Sequence, residues 1–524
     1  MDEISFVTAT VARLDCEIER LNDHRASLLR RLNHIQPTTR TLPPETLALI
    51  FHHALHARQT TPLLLGAVCS HWHAVAWSTP LLWTTIDPLP IRRNAQPSDA
   101  ALLRLYFRNA RALPVSLHIK LDRLSSSPSA ASEDILRAVF SENSVSIGAL
   151  VCTSKSSLRQ RWAMLAPKLA RSPFPNLKRL EINLRGAPLS RFDTPMFTYA
   201  PRLSTVLFSG YHLPHDHFCD QITVLDLSSL PVSQCLESLV RCPNLVDFRC
   251  TSPRPSHKPV DSVMSKHRPP YTFPHLQKFE WIGSLSDWDI FLYTYINLPH
   301  LQHLILGHSH PLSRPLDPTL PPSTPNIQTT DPGLWKSFFK RMKSLHTLEL
   351  TVFHSAEEWL EVFDILSSTL STVTFTAYRD ADEIVHLLRA LTLSYPTTTT
   401  PNKKNYLPNV KSLSATLDLH PDKSNFVLDM LCSRRIRPIM VHNDVTLDSA
   451  SDVSSTSTSS NDYLVHTSVD VEYWSTHTRL QEATIKCWPF GFDFGERERE
   501  VARLLKEGGL LLDVFGQARR VDWL

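Results

Sequence analysis

Side chains able to do chemistry are plentiful in this 524-residue chain, but few are spaced to cooperate. The 25 histidines gather most tightly as His52, His53 and His56; His71 and His73; His215 and His217 with Cys219; and His308 with His310. A zinc site needs about four ligands, usually supplied as paired short spacings. His215-x-His217-x-Cys219 has no evident second pair, and no H-E-x-x-H occurs. Glu496, Glu498 and Glu500 alternate with arginines, which suits a solvated helical face better than a paired acid and base. No local pattern joins a serine or cysteine to a histidine as a nucleophile and its base. Glycine is scarce: the 12 present are about 2% of the chain, against roughly 7% on average. None falls in the spacing of a phosphate-cradling loop or a nucleophile elbow, where backbone must approach a ligand or take positive φ. The expectation is a chain with no catalytic residue, no metal and no cofactor, and so not an enzyme.

Composition narrows the class further. Hydrophobic residues make up 42% and charged residues 20%, enough apolar surface for a sizeable core. At roughly 100–200 residues per domain, the length suggests two to four units, or one long solenoid. Lys plus Arg is 54 against 51 Asp plus Glu, so the charge balance gives no reason to expect a nucleic-acid or membrane-surface partner. Nine cysteines lie scattered without a C-x-x-C pair and read as reduced thiols. The N-terminus lacks a basic segment followed by an apolar run, and no stretch approaches 18 apolar residues. A soluble, intracellular chain, cytoplasmic and/or nuclear, is expected.

The elements come next. Residues 1–37 read as one heptad helix, with Ile4, Val7, Val11, Leu14, Ile18, Leu21, Leu28, Leu32 and Ile35 three and four apart and Arg25 in the one polar inner position. Pro37 closes it. Two uses fit this seam: a dimerisation or spacer helix, or a helix folded back on its own chain. An inner Arg25 would weaken a symmetric two-stranded coil.

A short helical segment follows. Pro43 and Pro44 suit a first turn, where no backbone donor is needed, and Glu45 suits the positive end of the dipole. Leu47, Ile50, Phe51, Ala54 and Leu55 mark one apolar face. Pro62 opens a second helix faced by Leu64, Val68, Trp72, Val75 and Ala76, and a last apolar piece ends in Leu81, Leu82 and Trp83. Three short helices over about 45 residues bury little core alone, so another surface should cover them. The text LPPETLALIFHHAL followed by LLLGAVCSHWHAVAWSTPLLW resembles the F-box, with its L-P-x-E, I-F, V-C-x-x-W and terminal L-W, over residues 42–90. Thr46, His71 and His73 depart from the usual aliphatic and basic residues. The resemblance implies docking to the Skp-type adaptor of a cullin-RING ubiquitin ligase. The adaptor face it implies is Leu42, Pro43, Leu47, Ile50, Phe51, Leu55, Val68, Cys69 and Trp72.

From residue 100 to 524 an irregular L-x-x-L-x-L pattern returns. Its first apolar position falls at Leu177, Leu203, Ile222, Leu245, Leu276, Leu301, Leu345, Leu370, Val410 and Leu480. The last two apolar residues of each unit, two apart, should share one side of a short strand. Segments such as 232–241 and 357–367 should be helical between strands, and 113–121 looks like a degenerate earlier unit. The C-terminus reads strand, helix, strand over 480–487, 496–506 and 510–515, with Gly508 and Gly509 as a helix stop. These units resemble leucine-rich repeats without a regular Asn or Cys position. The rival is an ordinary α/β domain with a parallel sheet. Stretches 251–272, 309–333, 395–408 and 449–460 are rich in Pro, Ser or Thr and read as loops laid over a rim or as disordered linkers.

The expected fold class is therefore α/β: an N-terminal long helix and a small all-α F-box, then an irregular leucine-rich-repeat solenoid with parallel strands. The expected function is a substrate-receptor subunit of an SCF-type ligase that captures a protein substrate on outward strand positions: Arg179, Glu181, Asn183, Arg249, Lys278, Glu280, His303, Glu349, Glu482 and Lys486. The alternative is a scaffold or interaction protein that uses the coiled coil and solenoid without joining a ligase. Expected partners are the Skp-type adaptor and cullin complex, an unidentified protein substrate and, through the heptads, a coiled-coil dimer mate.

Overall fold

The computed structural model describes the chain outside residues 1–2, 36–41, 58–59, 87–96, 122–129, 155–158, 185–196, 198, 211–218, 255–269, 284–291, 309–331, 351–355, 378–380, 394–404, 418–424, 435, 438–471, 474–479, 488–495, 508, 517–518 and 521–524. It divides into two compact units. One holds residues 1–230 and 234–242, the other residues 231–233 and 243–524.

The first unit begins with α1, Glu3–Ile35. Its heptad residues from Ile4 to Leu32 are 49–79% exposed, so the seam is not covered by a fold back onto the chain. Arg25, the polar inner residue, is exposed as well. Near its C-terminal end α1 approaches the next module, where Arg30 and Arg31 line a recess with residues of α3 and α4.

That module comprises α2 (Pro44–His56), α3 (Pro62–Gly66), α4 (Ser70–Ser78) and a 3-10 turn at Pro80–Trp83. The second helix read from sequence is thus two. Thr61 caps α3 by accepting from Leu64 N at 3.3 Å, and the Cys69 sulfur accepts from Trp72 N at 3.5 Å to start α4 afresh. The break rotates the faces: Leu65 is buried, whereas Leu64, expected on the apolar side, is exposed. Gly66 allows the close packing, because a Cβ there would lie 2.2 Å from the Trp77 ring.

The strands of this unit follow: β1 (Thr85–Ile86), β2 (Val115–Lys120), β3 (Ile147–Ser154), β4 (Arg179–Leu184), β5 (Thr205–Ser209) and β6 (Val224–Ser228). Each pairs in parallel with the next. β2 alternates buried and half-buried residues as 113–121 suggested. Helices α5 (Pro97–Ala110), α6 (Ala130–Leu136), α7 (Arg159–Arg171) and α8 (Val232–Arg241) complete it, α8 from Gln234 onward.

The second unit carries β7 (Asp247–Thr251), β8 (Tyr271–Thr272), β9 (Lys278–Gly283), β10 (Ile296–Asn297), β11 (His303–His308), β12 (Thr347–Leu350), β13 (Thr372–Ala377) and β14 (Ser412–Leu417). β15 (Ile436–Arg437), β16 (Glu472–Tyr473), β17 (Glu482–Cys487), β18 (Leu511–Gly516) and β19 (Arg519–Arg520) follow. Strands β7, β9, β11, β12, β13, β14, β17 and β18 pair in parallel in that order, and β19 closes the edge antiparallel. Helices Pro332–Lys340, Ala356–Leu366, Ala381–Leu391, Asn425–Ser433 and Glu496–Glu507 lie between successive strands, and consecutive ones pack on each other.

A single rule sets the register. All ten first-apolar positions, from Leu177 to Leu480, are buried, and in every case the strand begins two residues later. Within the second unit, Asp247, Lys278, His303, Thr347, Thr372, Ser412 and Glu482 stand in one row across the sheet. Inward residues such as Leu348 and Leu350 are buried with their equivalents on both neighbouring strands. Parallel strands joined by crossover helices are covered on one face by those helices, and here the other face carries polar residues.

Of the proline- and serine-rich stretches, 255–269, 309–331, 395–404 and 449–460 lie outside the described residues, as do residues 87–90 of the module, Pro37 and Gly508. The ends of these stretches are built into the fold: Tyr271–Thr272 pairs with Ile296–Asn297, and Leu407 is buried. Gly509 takes φ +86° after the last helix, as a stop requires. Leu348 and its neighbour Glu349 on β12 provide a contrast. Leu348→Ala should cost about 2–5 kcal/mol by opening a cavity, while Glu349→Ala should stay within about 0.5 kcal/mol, as measured by denaturant midpoints.

Candidate functional site

The helical module has a dry side and a bare side. On the dry side Trp83 is fully buried, its Nε1 donating to Ala76 O at 2.8 Å. Its ring meets Trp77 at 5.0 Å and Tyr106 of α5 at 5.1 Å. Val75, Ala76 and Leu82 are buried, and α5 packs on the Pro80–Trp83 turn. The first part of the module is held by Leu47 and Phe51, and the Phe51 ring sits 4.9 Å from Trp72.

On the bare side Leu49 is 62%, Ile50 47% and Leu64 61% exposed. Pro43 and Pro44 at the start of α2 are exposed too. Among the nine residues expected on an adaptor face, Pro43 and Ile50 are open to a partner; Leu42, Leu55, Val68 and Trp72 are half-buried; Leu47, Phe51 and Cys69 lie inside. The adaptor face implied by the resemblance does not include Leu49, Leu64 or Leu81, all exposed. For Leu64 the missing signal was the helix break at Cys69. For Leu49 and Leu81, no face assignment separated inward from outward leucines. Trp72 Nε1 and His71 Nε2 are buried without a hydrogen-bond partner among the described residues.

The histidines of the module stay local. His52 and His56 approach within 3.1 Å through their Nε2 atoms, and His73 stacks on Trp77 at 3.9 Å. Burial, followed by the charges of His56 and His53, holds His52 below the ordinary histidine range. Among the described residues no group of three or more His, Cys, Asp or Glu is gathered to hold a metal, and His215, His217 and His310 lie outside them. Cys152 is buried, which with the Glu181 charge pushes its thiol up to about 12 and leaves it inert as a nucleophile.

The candidate substrate residues fall on outward strand positions. In the first unit Arg179, Glu181 and Asn183 alternate along β4, with Arg179 and Glu181 paired at 3.2 Å. In the second, Lys278, His303 and Glu482 share the row headed by Asp247. The adjacent row runs Arg249, Glu280, Ile305, Glu349, Thr374, Ser414 and Thr484. Arg249 pairs with Asp247 at 2.8 Å and reaches Glu280 at 4.0 Å. Lys486 is on β17, but its side chain lies outside the described residues. Asp247, Ile305 and the Thr/Ser positions of β12–β14 were not singled out from sequence, although the shared register places them on the same surface.

Burial pushes the Glu280 carboxyl above its ordinary value, against the pull of Lys278 and Arg249 and with the push of Glu349 and Asp247. A raised folded value means that its contribution to stability is complete below the unfolded value of about 4.3 and is lost as pH rises through the folded one. Glu280→Gln keeps the neutral shape. It should match the parent near pH 3.5 and exceed it in stability near pH 8, about where the parent's buried charge costs most, as read from denaturant midpoints at the two pH values.

Comparison with known families places the bare-sided module. Residues 39–88 match the F-box-like family model. No curated protein matches the chain. F-box domains are in general non-catalytic modules that bind Skp-type adaptors in cullin complexes, and residues 39–88 are the part of this chain similar to them.

Proposed function

We infer that the chain is a substrate-receptor subunit of an SCF-type cullin-RING ubiquitin ligase, working inside the cell. The observation that carries this reading is the set of large apolar side chains that the F-box-like domain leaves in solvent, Leu49, Ile50 and Leu64, while α5 packs on its Pro80–Trp83 turn. Several large apolar side chains left in solvent on one small module mark an interaction site when a partner covers them together. Among the described residues no helix is long and apolar enough to cross a membrane. The Skp-type adaptor would take the bare side, with Ile50 and Pro43 in direct contact and Leu47, Phe51 and Cys69 holding the module in shape beneath them.

The parallel-strand region, read as an irregular leucine-rich-repeat domain, would receive the protein substrate. Its outward rows mix acids, bases, Ile305 and a run of Thr and Ser, so they suit a folded surface of mixed polarity better than a highly charged ligand. The chain would accelerate ubiquitin transfer by proximity, holding a substrate lysine near a catalytic partner, with no bond made or broken by its own residues.

Ile50→Asp and Leu64→Asp in the full chain test this reading without touching the core. Burying an aliphatic side chain is worth about 1.5–3 kcal/mol, so each variant should lose about tenfold or more in affinity for a purified Skp-type adaptor. Unfolding midpoints should be unchanged. Undiminished affinity in both variants, or no adaptor binding by the parent chain, would overturn the receptor assignment in favour of a scaffold.

A further inference from the structure

The helix α1 carries a second surface that the receptor role does not use. We propose that two copies of the chain join through α1 as an antiparallel two-stranded coiled coil, with Arg25 of each copy against the partner's Asp15. This proposal stands whether or not the F-box-like domain docks an adaptor.

The first observation is which side of α1 is occupied. Arg30 and Arg31 line the recess with Leu63, Ala67 and Trp77. At about 100° per residue, Arg30 points nearly opposite the heptad seam. The helix therefore leans on its own chain by its back, and the seam is left outward, 49–79% exposed over eight apolar residues. A helix of 33 residues with its apolar stripe in water lacks the packing from which helices in proteins draw most of their stability.

The second observation is the kind of occupant the seam fits. A repeat of strict three-four spacing matches another helix of the same period, and the same sequence supplies one. Ile4, Val11, Ile18, Arg25 and Leu32 occupy the first inner position of their heptads and Val7, Leu14, Leu21 and Leu28 the second, a seam that is apolar throughout except at Arg25. Cys16 lies on the outer face and is exposed.

Charge decides the direction. In a parallel, in-register pair Arg25 would meet the partner's Arg25, with no acid in the flanking positions of that layer. An antiparallel pair that sets Ile18 on the partner's Leu21 overlaps both helices along their length. It places Arg25 on the partner's Leu14, beside the partner's Asp15. The one polar inner residue then gains an opposite charge twice by symmetry, and its alkyl stem covers leucine. The two F-box-like domains would sit at opposite ends of a rod about 50 Å long.

Cysteine cross-linking of the full chain, in a Cys16→Ser background, reads both association and direction. Leu14→Cys and Arg25→Cys chains carrying different tags should form an interchain disulfide when mixed and none when oxidised separately. Self-cross-linking of either chain alone would overturn the antiparallel assignment, and a monomer at every concentration in sedimentation would overturn the dimer. Arg25→Glu should weaken association about tenfold or more by setting like charges together, and Asp15→Arg in the same chain should restore it. Failure of the double variant to recover would contradict the pairing even where dimers form.

Discussion

Trp83 is the residue on which the arrangement turns. Its indole is fully buried, donates to Ala76 O and is walled by Trp77 on one side and Tyr106 on the other. Three short helices do not enclose a core by themselves, and this contact lets α5 serve as the missing wall. The next two residues but one, Thr85–Ile86, are already the first strand of the sheet, with Ser116 N donating to Thr84 O at 2.7 Å. The small module is therefore the leading edge of the repeat region of its own unit. Helix α5 packs on the Pro80–Trp83 turn, and Leu49, Ile50 and Leu64 of the same module remain exposed.

The repeat region works by a different constraint. A parallel strand buries two side chains inward and presents those between them outward, and the constant two-residue offset from the leading leucine keeps every strand in step. Inward positions are then interchangeable apolar residues, while outward positions are free to vary in chemistry. This separation allows Asp247, Arg249, Glu280 and Ile305 to vary on one surface without disturbing Phe248, Phe279 and Leu304 beneath it. Between strands, local polar contacts finish what packing starts. Arg434, almost fully buried, donates to Leu391 O, Leu407 O and Tyr406 O and so satisfies the carbonyl end of the helix Ala381–Leu391.

The parts of this fold that were legible in the amino-acid sequence are those set by periodicity. The ten leading leucine, isoleucine and valine positions each mark the start of a strand, and the helices Val232–Arg241 and Ala356–Leu366 fall within a residue of the expected 232–241 and 357–367. The heptads of α1 were equally plain. What periodicity missed depends on single side chains acting on backbone. Cysteine is an unusual N-cap, so the division of α3 from α4 left no trace, and with it went the outward turn of Leu64. The four hydrogen bonds of Arg434 join residues 27–43 positions apart, a relation no local pattern carries. In the candidate site, residue type alone did not separate leucines that hold the module from leucines that face water.

Side-chain radical footprinting tests the central claim most directly, because it reports the solvent access of individual residues in the intact chain. When a purified Skp-type adaptor is added, labelling of Leu49, Ile50 and Leu64 should fall sharply while that of Leu511, 71% exposed on β18, stays constant. Equal labelling of those three residues with and without the adaptor would contradict the account.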